Sequence, residues 1–147
     1  MKHLIKTRRW LCLATSTAMV CDTSLQDFIE KVGNDGSEIL WPDAPFPACH
    51  RGHMPNEMVM YALSCGVSLV PVFPTWPAMP GPQYTMQPIT LPRQWIDGMF
   101  REHDGVLIGN GHSVAWDSKQ KLVLDPDGPK YPLQVFLSRL EVFWAKM

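Results

Sequence analysis

Apolar and polar residues alternate along this chain in three different rhythms, and each rhythm predicts a different element. From Cys12 to Cys21 apolar residues are nearly continuous, interrupted only by Thr15, Ser16 and Thr17. That stretch predicts a short, largely buried helix. Thr23-Ser-Leu-Gln26 has the spacing of a capping box, and Leu25, Phe28, Ile29 and Val32 follow at helical intervals. Gly33 is placed to end that helix, and Asn34-Asp35-Gly36 to turn the chain. Residues Ile39 to Met54, with Pro42, Pro45 and Pro47, keep no rhythm and read as irregular. Pro55 stands at the first position of a further helix, where its missing N–H costs nothing. Met58, Tyr61, Ala62 and Cys65 form the inner stripe of that helix, and Gly66 ends it. Val67 to Phe73 is apolar and β-branched enough for a strand.

The second half changes character. Seven prolines fall within residues 71–92, together with Trp76 and Tyr84. That segment predicts a long, stiff surface loop, placed either to wall a groove or to serve as a crossover. Trp95, Ile96, Met99 and Phe100 predict a short helix. Three short strands then follow, Gly105 to Ile108, His112 to Trp116 and Lys121 to Leu124. Gly109-Asn-Gly111 and Asp117-Ser-Lys-Gln120 are the turns of an antiparallel meander. Leu133, Phe136, Leu137 and Leu140 predict a last amphipathic helix running to Trp144.

With 147 residues, the chain is one domain, residues 1–147. A hydrophobic share of 46% supports one real core and excludes a disordered chain. A formal net charge of -1 excludes the broad basic face on which nucleic-acid binding depends. No apolar stretch approaches the roughly 18 residues of a membrane span. Lys2, Lys6, Arg8 and Arg9, followed by the apolar Trp10 to Val20, resemble a secretory signal peptide. Thr15 to Thr17 break its apolar region, and small residues do not line up for cleavage, so the segment is expected to be retained. If it were only targeting, Cys12 would be removed. Cys12, Cys21, Cys49 and Cys65 contain no CxxC pair and suggest no disulfide framework. The expected location is therefore cytoplasmic, with a secreted or delivered effector as the alternative. The pattern commits to no oligomeric state.

The chemistry lies in the order Cys12, His112, Asp125. A thiol at a helix N-terminus is stabilised as thiolate by the helix dipole. A nearby histidine can hold it as a thiolate–imidazolium pair, and a carboxylate on an adjacent strand can orient the imidazole through its other nitrogen. Asp127 is a second choice for that carboxylate. Taken singly, each member has a plain reading, as a core cysteine, a turn histidine and an Asp-Pro turn.

Three blocks resemble the papain-like cysteine peptidases, nearest to their small bacterial branch of bacteriocin-leader (C39-like) peptidases. Cys12-Leu-Ala-Thr-Ser-Thr-Ala-Met-Val20 resembles the nucleophile helix, Gly111-His-Ser-Val-Ala-Trp-Asp117 the histidine strand, and Leu122-Val-Leu-Asp-Pro-Asp-Gly128 the acid strand. The resemblance implies an α+β, papain-like fold in which N-terminal helices pack on a C-terminal antiparallel sheet. It implies Cys12 as nucleophile, His112 as general base and acid, and Asp125 as orienter. The expected activity is cleavage of a peptide or amide bond in a peptide or protein substrate, with no cofactor and no metal. The chain departs from the family at one position. The family places a glutamine about six residues before the cysteine, whereas here Lys6 stands there and the first glutamine is Gln26. Oxyanion donors would then be the Cys12 N–H with Lys6 or Thr7. Trp10, Trp116 and the proline-rich loop are candidates for the substrate wall. The alternative reading is a catalytically inactive papain-like domain that binds a protein or peptide partner. Cys49, His50 and His53 offer three metal donors within five residues, but no second cluster completes a site.

Overall fold

The near-continuous apolar run folds as helix α1 (Cys12–Val20), and every residue from Leu13 to Val20 is buried. A computed structural model describes residues 1–74 and 93–147. In it, α1 is the element around which the others assemble. Helices α2 (Leu25–Val32) and α3 (Pro55–Ser64) pack against it. The three together cover one face of a six-stranded sheet. The strands are β1 (Leu69–Val72), β2 (Gly105–Gly109), β3 (His112–Asp117), β4 (Leu122–Leu124), β5 (Lys130–Tyr131) and β6 (Val142–Lys146). Their order is β1-β6-β2-β3-β4-β5, and every pairing is antiparallel. The other face is covered by α4 (Arg93–Glu102) and the single turn of α5 (Gln134–Leu137). The architecture is α+β, with N-terminal helices on an antiparallel sheet that lies mostly in the C-terminal half.

Alternation along the strands divides the core into two. Leu69, Val106, Ala115 and Leu124 face α1 to α3, among Leu11, Ala14, Met19, Phe28 and Met58. Val72, Leu107, Val114, Trp116, Val123, Phe143 and Ala145 face the opposite way, onto Phe100 and Phe136. This is the period of two that a sheet buried on both faces requires. The hydroxyls that interrupt the α1 run are buried with it. Ser16 Oγ donates to the Ser113 carbonyl of β3 at 3.0 Å, and Thr17 Oγ1 to the Leu13 carbonyl at 2.7 Å. At the far end of α1, Lys146 Nζ donates to the Val20 carbonyl at 2.9 Å, a cation where the helix dipole favours one.

Two elements differ from the sequence expectation. The cap of α2 is Ser24, whose Oγ accepts the Asp27 N–H at 3.0 Å. Thr23 is drawn elsewhere, donating to the Ala18 carbonyl and accepting from the Tyr61 hydroxyl. The expected final helix stops after one turn, and Val142–Lys146 becomes β6 between β1 and β2. Val142, Phe143 and Trp144 suit a pleated surface, and a ladder on each side outweighs the leucine spacing that precedes them. Most of the proline-rich segment 71–92 lies outside the described residues. No helix among those described is long and apolar enough to cross a membrane.

Backbone passes very close to β2 at two glycines. A Cβ on Gly105 would lie 2.2 Å from the Trp144 carbonyl oxygen of β6, and one on Gly109 only 1.8 Å from that of Arg139. Nothing would meet a Cβ on Gly98 inside α4. Gly109→Ala is therefore expected to cost about 3 kcal/mol by overpacking, lowering the melting temperature by roughly 10 °C. Gly98→Ala should instead gain about 0.5–1 kcal/mol from helix propensity. Thermal and urea unfolding of the two variants check this contrast.

Candidate active site

Cys12 stands in the first turn of α1, directly after its N-cap residue Leu11. One turn later, on the same side of the helix, Ser16 is tied to the carbonyl of Ser113. That tie fixes the N-terminal end of α1 beside the start of β3, where His112 is the first residue. The Cys12 thiol and the His112 imidazole face each other there, near enough for each to shift the other's titration. His112 Nε2 lies 2.9 Å from Asp125 Oδ1. With Nε2 committed to the carboxylate, Nδ1 is the nitrogen left for the thiol. Asp125 follows directly on β4, the neighbour of β3, and is only 5% exposed. The structure thus brings together three residues that are far apart in sequence, in the order thiol, imidazole, carboxylate.

Each member shifts the others. Burial pushes the Cys12 thiol up. The hydrogen bond and charge of His112, the Ser113 backbone N–H and the charge of Lys6 pull it down further, so the net shift is below the ordinary thiol value. His112 is raised to about 9, first by its hydrogen bond to Asp125 and then by that to Cys12. Burial raises Asp125, but His112, the Asp127 N–H and Tyr131 overcome it and bring the carboxyl to about 2. The signs agree on one charge state. The carboxylate is charged above about pH 2 and the imidazolium persists to about pH 9. The thiolate is stabilised inside that window. The dipole at the N-terminus of α1 acts in the same direction.

A cavity of about 340 Å³ opens at the thiol, walled by Trp10, Leu13, His50, His53 and Ser113 among others. Trp10 stacks on His50 at 3.9 Å between ring centroids and donates from Nε1 to the Asp35 carbonyl at 3.1 Å. It lines the same cavity as Cys12. Trp116 does not. Four residues along β3 place it about 13 Å from His112. It is buried in the second core, with Nε1 donating to the Phe100 carbonyl at 2.8 Å. Lys6 lies near enough to act electrostatically on Cys12, and it also braces the acid turn. Its N–H donates to the Pro126 carbonyl at 2.9 Å, and its ammonium pairs with Asp127 at 2.8 Å. Thr7 is exposed.

Cys49 is half-buried, while His50 and His53 line the cavity with their rings bonded to the Ser37 and Asn34 carbonyls. Among the described residues, the atoms of His112, Asp125 and Asp127 lie within 4.8 Å of one another and could approach a cation. Two of the three are already hydrogen-bonded to each other, and the exposed third is paired with Lys6. The cavity wall drawn from residues 47–53 was not legible in sequence, because that segment has no periodic pattern. Tyr131 was also missed, since β5 is two residues long and a two-residue strand carries no alternation.

The geometry predicts that iodoacetamide labels Cys12 well below pH 8, at pH 6 at least about tenfold faster than the half-buried Cys49 and Cys65. His112→Ala should abolish that advantage, and peptide mass spectrometry across a pH series reads both. An ordinary thiol profile at Cys12, unchanged in the variant, would mean that no ion pair forms. In comparison with known proteins, the chain matches no family model, no curated protein and no solved structure, so its function is argued from this geometry.

Proposed function

We propose that this chain is a papain-like, thiol-dependent hydrolase that cleaves a peptide or amide bond through Cys12, His112 and Asp125. The observation that carries the reading is a His112 imidazole hydrogen-bonded to a buried carboxylate and acting electrostatically on a thiol that stands at a helix N-terminus and lines a cavity. A core cysteine needs no such partners. The papain-like part of the reading rests on the placement of the nucleophile on a buried N-terminal helix and of base and acid on neighbouring antiparallel strands.

The Cys12 thiolate attacks the carbonyl carbon, forming the C–S bond and placing negative charge on the carbonyl oxygen. The N–H groups in the first turn of a helix have no intrahelical acceptor, so that of Cys12 is free to donate to this oxygen. As the tetrahedral adduct collapses, the C–N bond breaks and the His112 imidazolium gives its proton to the leaving amine. A thioester remains on Cys12. Water then attacks it while neutral His112 takes a proton, releasing the acid and restoring the ion pair. Asp125 keeps Nε2 occupied throughout, so that Nδ1 is always the nitrogen presented to the reacting groups.

A second reading, a partner-binding domain of the same design without turnover, draws on the lysine at the position where the family carries its oxyanion glutamine. Incubation with a degenerate peptide library, with new termini read by mass spectrometry, separates the two. Cleavage is expected, abolished by Cys12→Ala, with His112→Ala and Asp125→Ala each reducing it on the order of 10³–10⁴-fold. Peptides retained on the protein but not cut, with Cys12→Ala retaining them equally, would replace the hydrolase reading with the binding one. Cleavage that survives Cys12→Ala would remove both Cys12 and the mechanism.

A further inference from the structure

Asp125 is surrounded by more donors than a simple orienting carboxylate needs. Its Oδ1 takes His112 Nε2 and the Asp127 N–H, each at 2.9 Å. Its Oδ2 takes the Tyr131 hydroxyl at 2.8 Å. That hydroxyl in turn accepts from Arg139 Nη2 at 3.0 Å. The guanidinium is itself fixed, with Cζ 4.5 Å from the centroid of the Phe136 ring. Arg139 Nε is buried and, among the described residues, has no acceptor. Keeping a cation partly desolvated is costly unless its position matters.

We propose that Tyr131, backed by Arg139, is a positioning residue that locks the Asp125 carboxylate in the orientation from which it holds His112. The proposal rests on the reading of Cys12, His112 and Asp125 as the reacting groups. A carboxylate turns readily about its last torsion, because that torsion has only a broad, two-fold preference. The Asp127 N–H and His112 restrain that torsion from one oxygen only. Tyr131 closes that freedom by holding the second oxygen. All the donors converge on the carboxylate, from Arg139 through Tyr131 on one side and from His112 on the other. The Arg139 cation polarises the phenol and strengthens its donation. Tyr131 cannot take over the proton chemistry, since burial and Asp125 push its hydroxyl up to about 12.

Among the described residues, Asp127, Lys6 and His3 also face this set. Asp127 Oδ2 lies 3.9 Å from His112 Nε2, Lys6 neutralises Asp127, and the His3 ring contacts the Asp125 carbonyl oxygen at 2.8 Å. None of them touches Oδ2, so the effect of Tyr131 is separable from theirs.

The test is the titration of the His112 imidazole by nitrogen-15 NMR, together with Cys12 alkylation and thermal unfolding, in wild type, Tyr131→Phe and Arg139→Gln. Wild-type His112 is expected to titrate near 9. In Tyr131→Phe the titration should fall by about one pH unit, the size of one hydrogen bond to a charged group. Cys12 alkylation at pH 7 should stay within about twofold of wild type, because an imidazole titrating near 8 is still mostly protonated there. Arg139→Gln should lower the His112 titration by less. A merely structural role for Tyr131 would lower the melting temperature and leave the His112 titration where it was, and that result overturns the proposal. If wild-type His112 itself titrates in the ordinary range, the hydrolase reading fails and this proposal falls with it. A raised wild type with unchanged variants removes only the positioning role. Should Tyr131→Phe not fold, Arg139→Gln decides alone, by a downward shift or by none.

Discussion

The burial of α1 against β3 is the contact on which the rest of the molecule depends. A helix whose residues are buried from Leu13 to Val20 has no solvent face to trade for another orientation. Two of its three buried hydroxyls are satisfied inside, Thr17 within the helix and Ser16 by bonding a β3 carbonyl. That bond also sets the register of helix against strand. Once it is made, Cys12 lies beside His112 because each is first in its element. Lys146 completes the arrangement from the opposite end, bonding the last turn of α1 from the strand that pairs with both β1 and β2.

The electrostatics of the site follow from this packing as a balance with a clear winner. For Cys12 and Asp125 alike, the largest single influence is burial, which favours the neutral form. In each case the summed hydrogen bonds and charges of the neighbours exceed it. His112 faces the same opposition and ends near 9 because it lies between two acceptors. The charged form of each group is thus favoured by its neighbours in the set. Removing His112 takes from each of the other two its largest charge-stabilising neighbour, which leaves a buried charge poorly compensated, a costly state in a protein interior.

The sequence made the meander from Gly105 to Leu124 legible, because its strands alternate and its turns carry Gly-Asn-Gly and an Asp that bonds its own turn. Asp117 Oδ1 takes the Lys119 and Gln120 N–H groups, which is why Asp117 to Gln120 read correctly as a turn. The thiol helix, the histidine strand and the acid turn were legible for the same reason, as local patterns. What was not legible is what the tertiary fold decides. Thr23 and Ser24 are adjacent candidates for one cap, and Thr23 was claimed by Ala18 and Tyr61 from elsewhere in the fold. Val142 to Lys146 follow a helical leucine pattern, and only the gap between β1 and β2 makes them a strand. Trp116 is near His112 in sequence but not in space, because an extended chain carries residues apart. The wall of residues 47–53 depends on Trp10 stacking across it, a long-range contact that no local pattern announces.

The two halves of the core meet at this site. Cys12 is held by the first core, since α1 packs with α2, α3 and the sheet face that carries Val106 and Ala115. The acid is held by the second, since Tyr131 packs there and Arg139 lies over Phe136. The approach of Arg139 to the β2–β3 hairpin is possible because Gly109 has no side chain. His112 begins the strand just after that hairpin and touches both partners. Lys6 acts on the thiol and braces the acid turn, but His112 is the group that shifts thiol and carboxylate alike. A change in the second core that moves Asp125 would reach the thiol chiefly by moving His112. That makes the His112 ring the place where packing on one face of the sheet is converted into reactivity on the other.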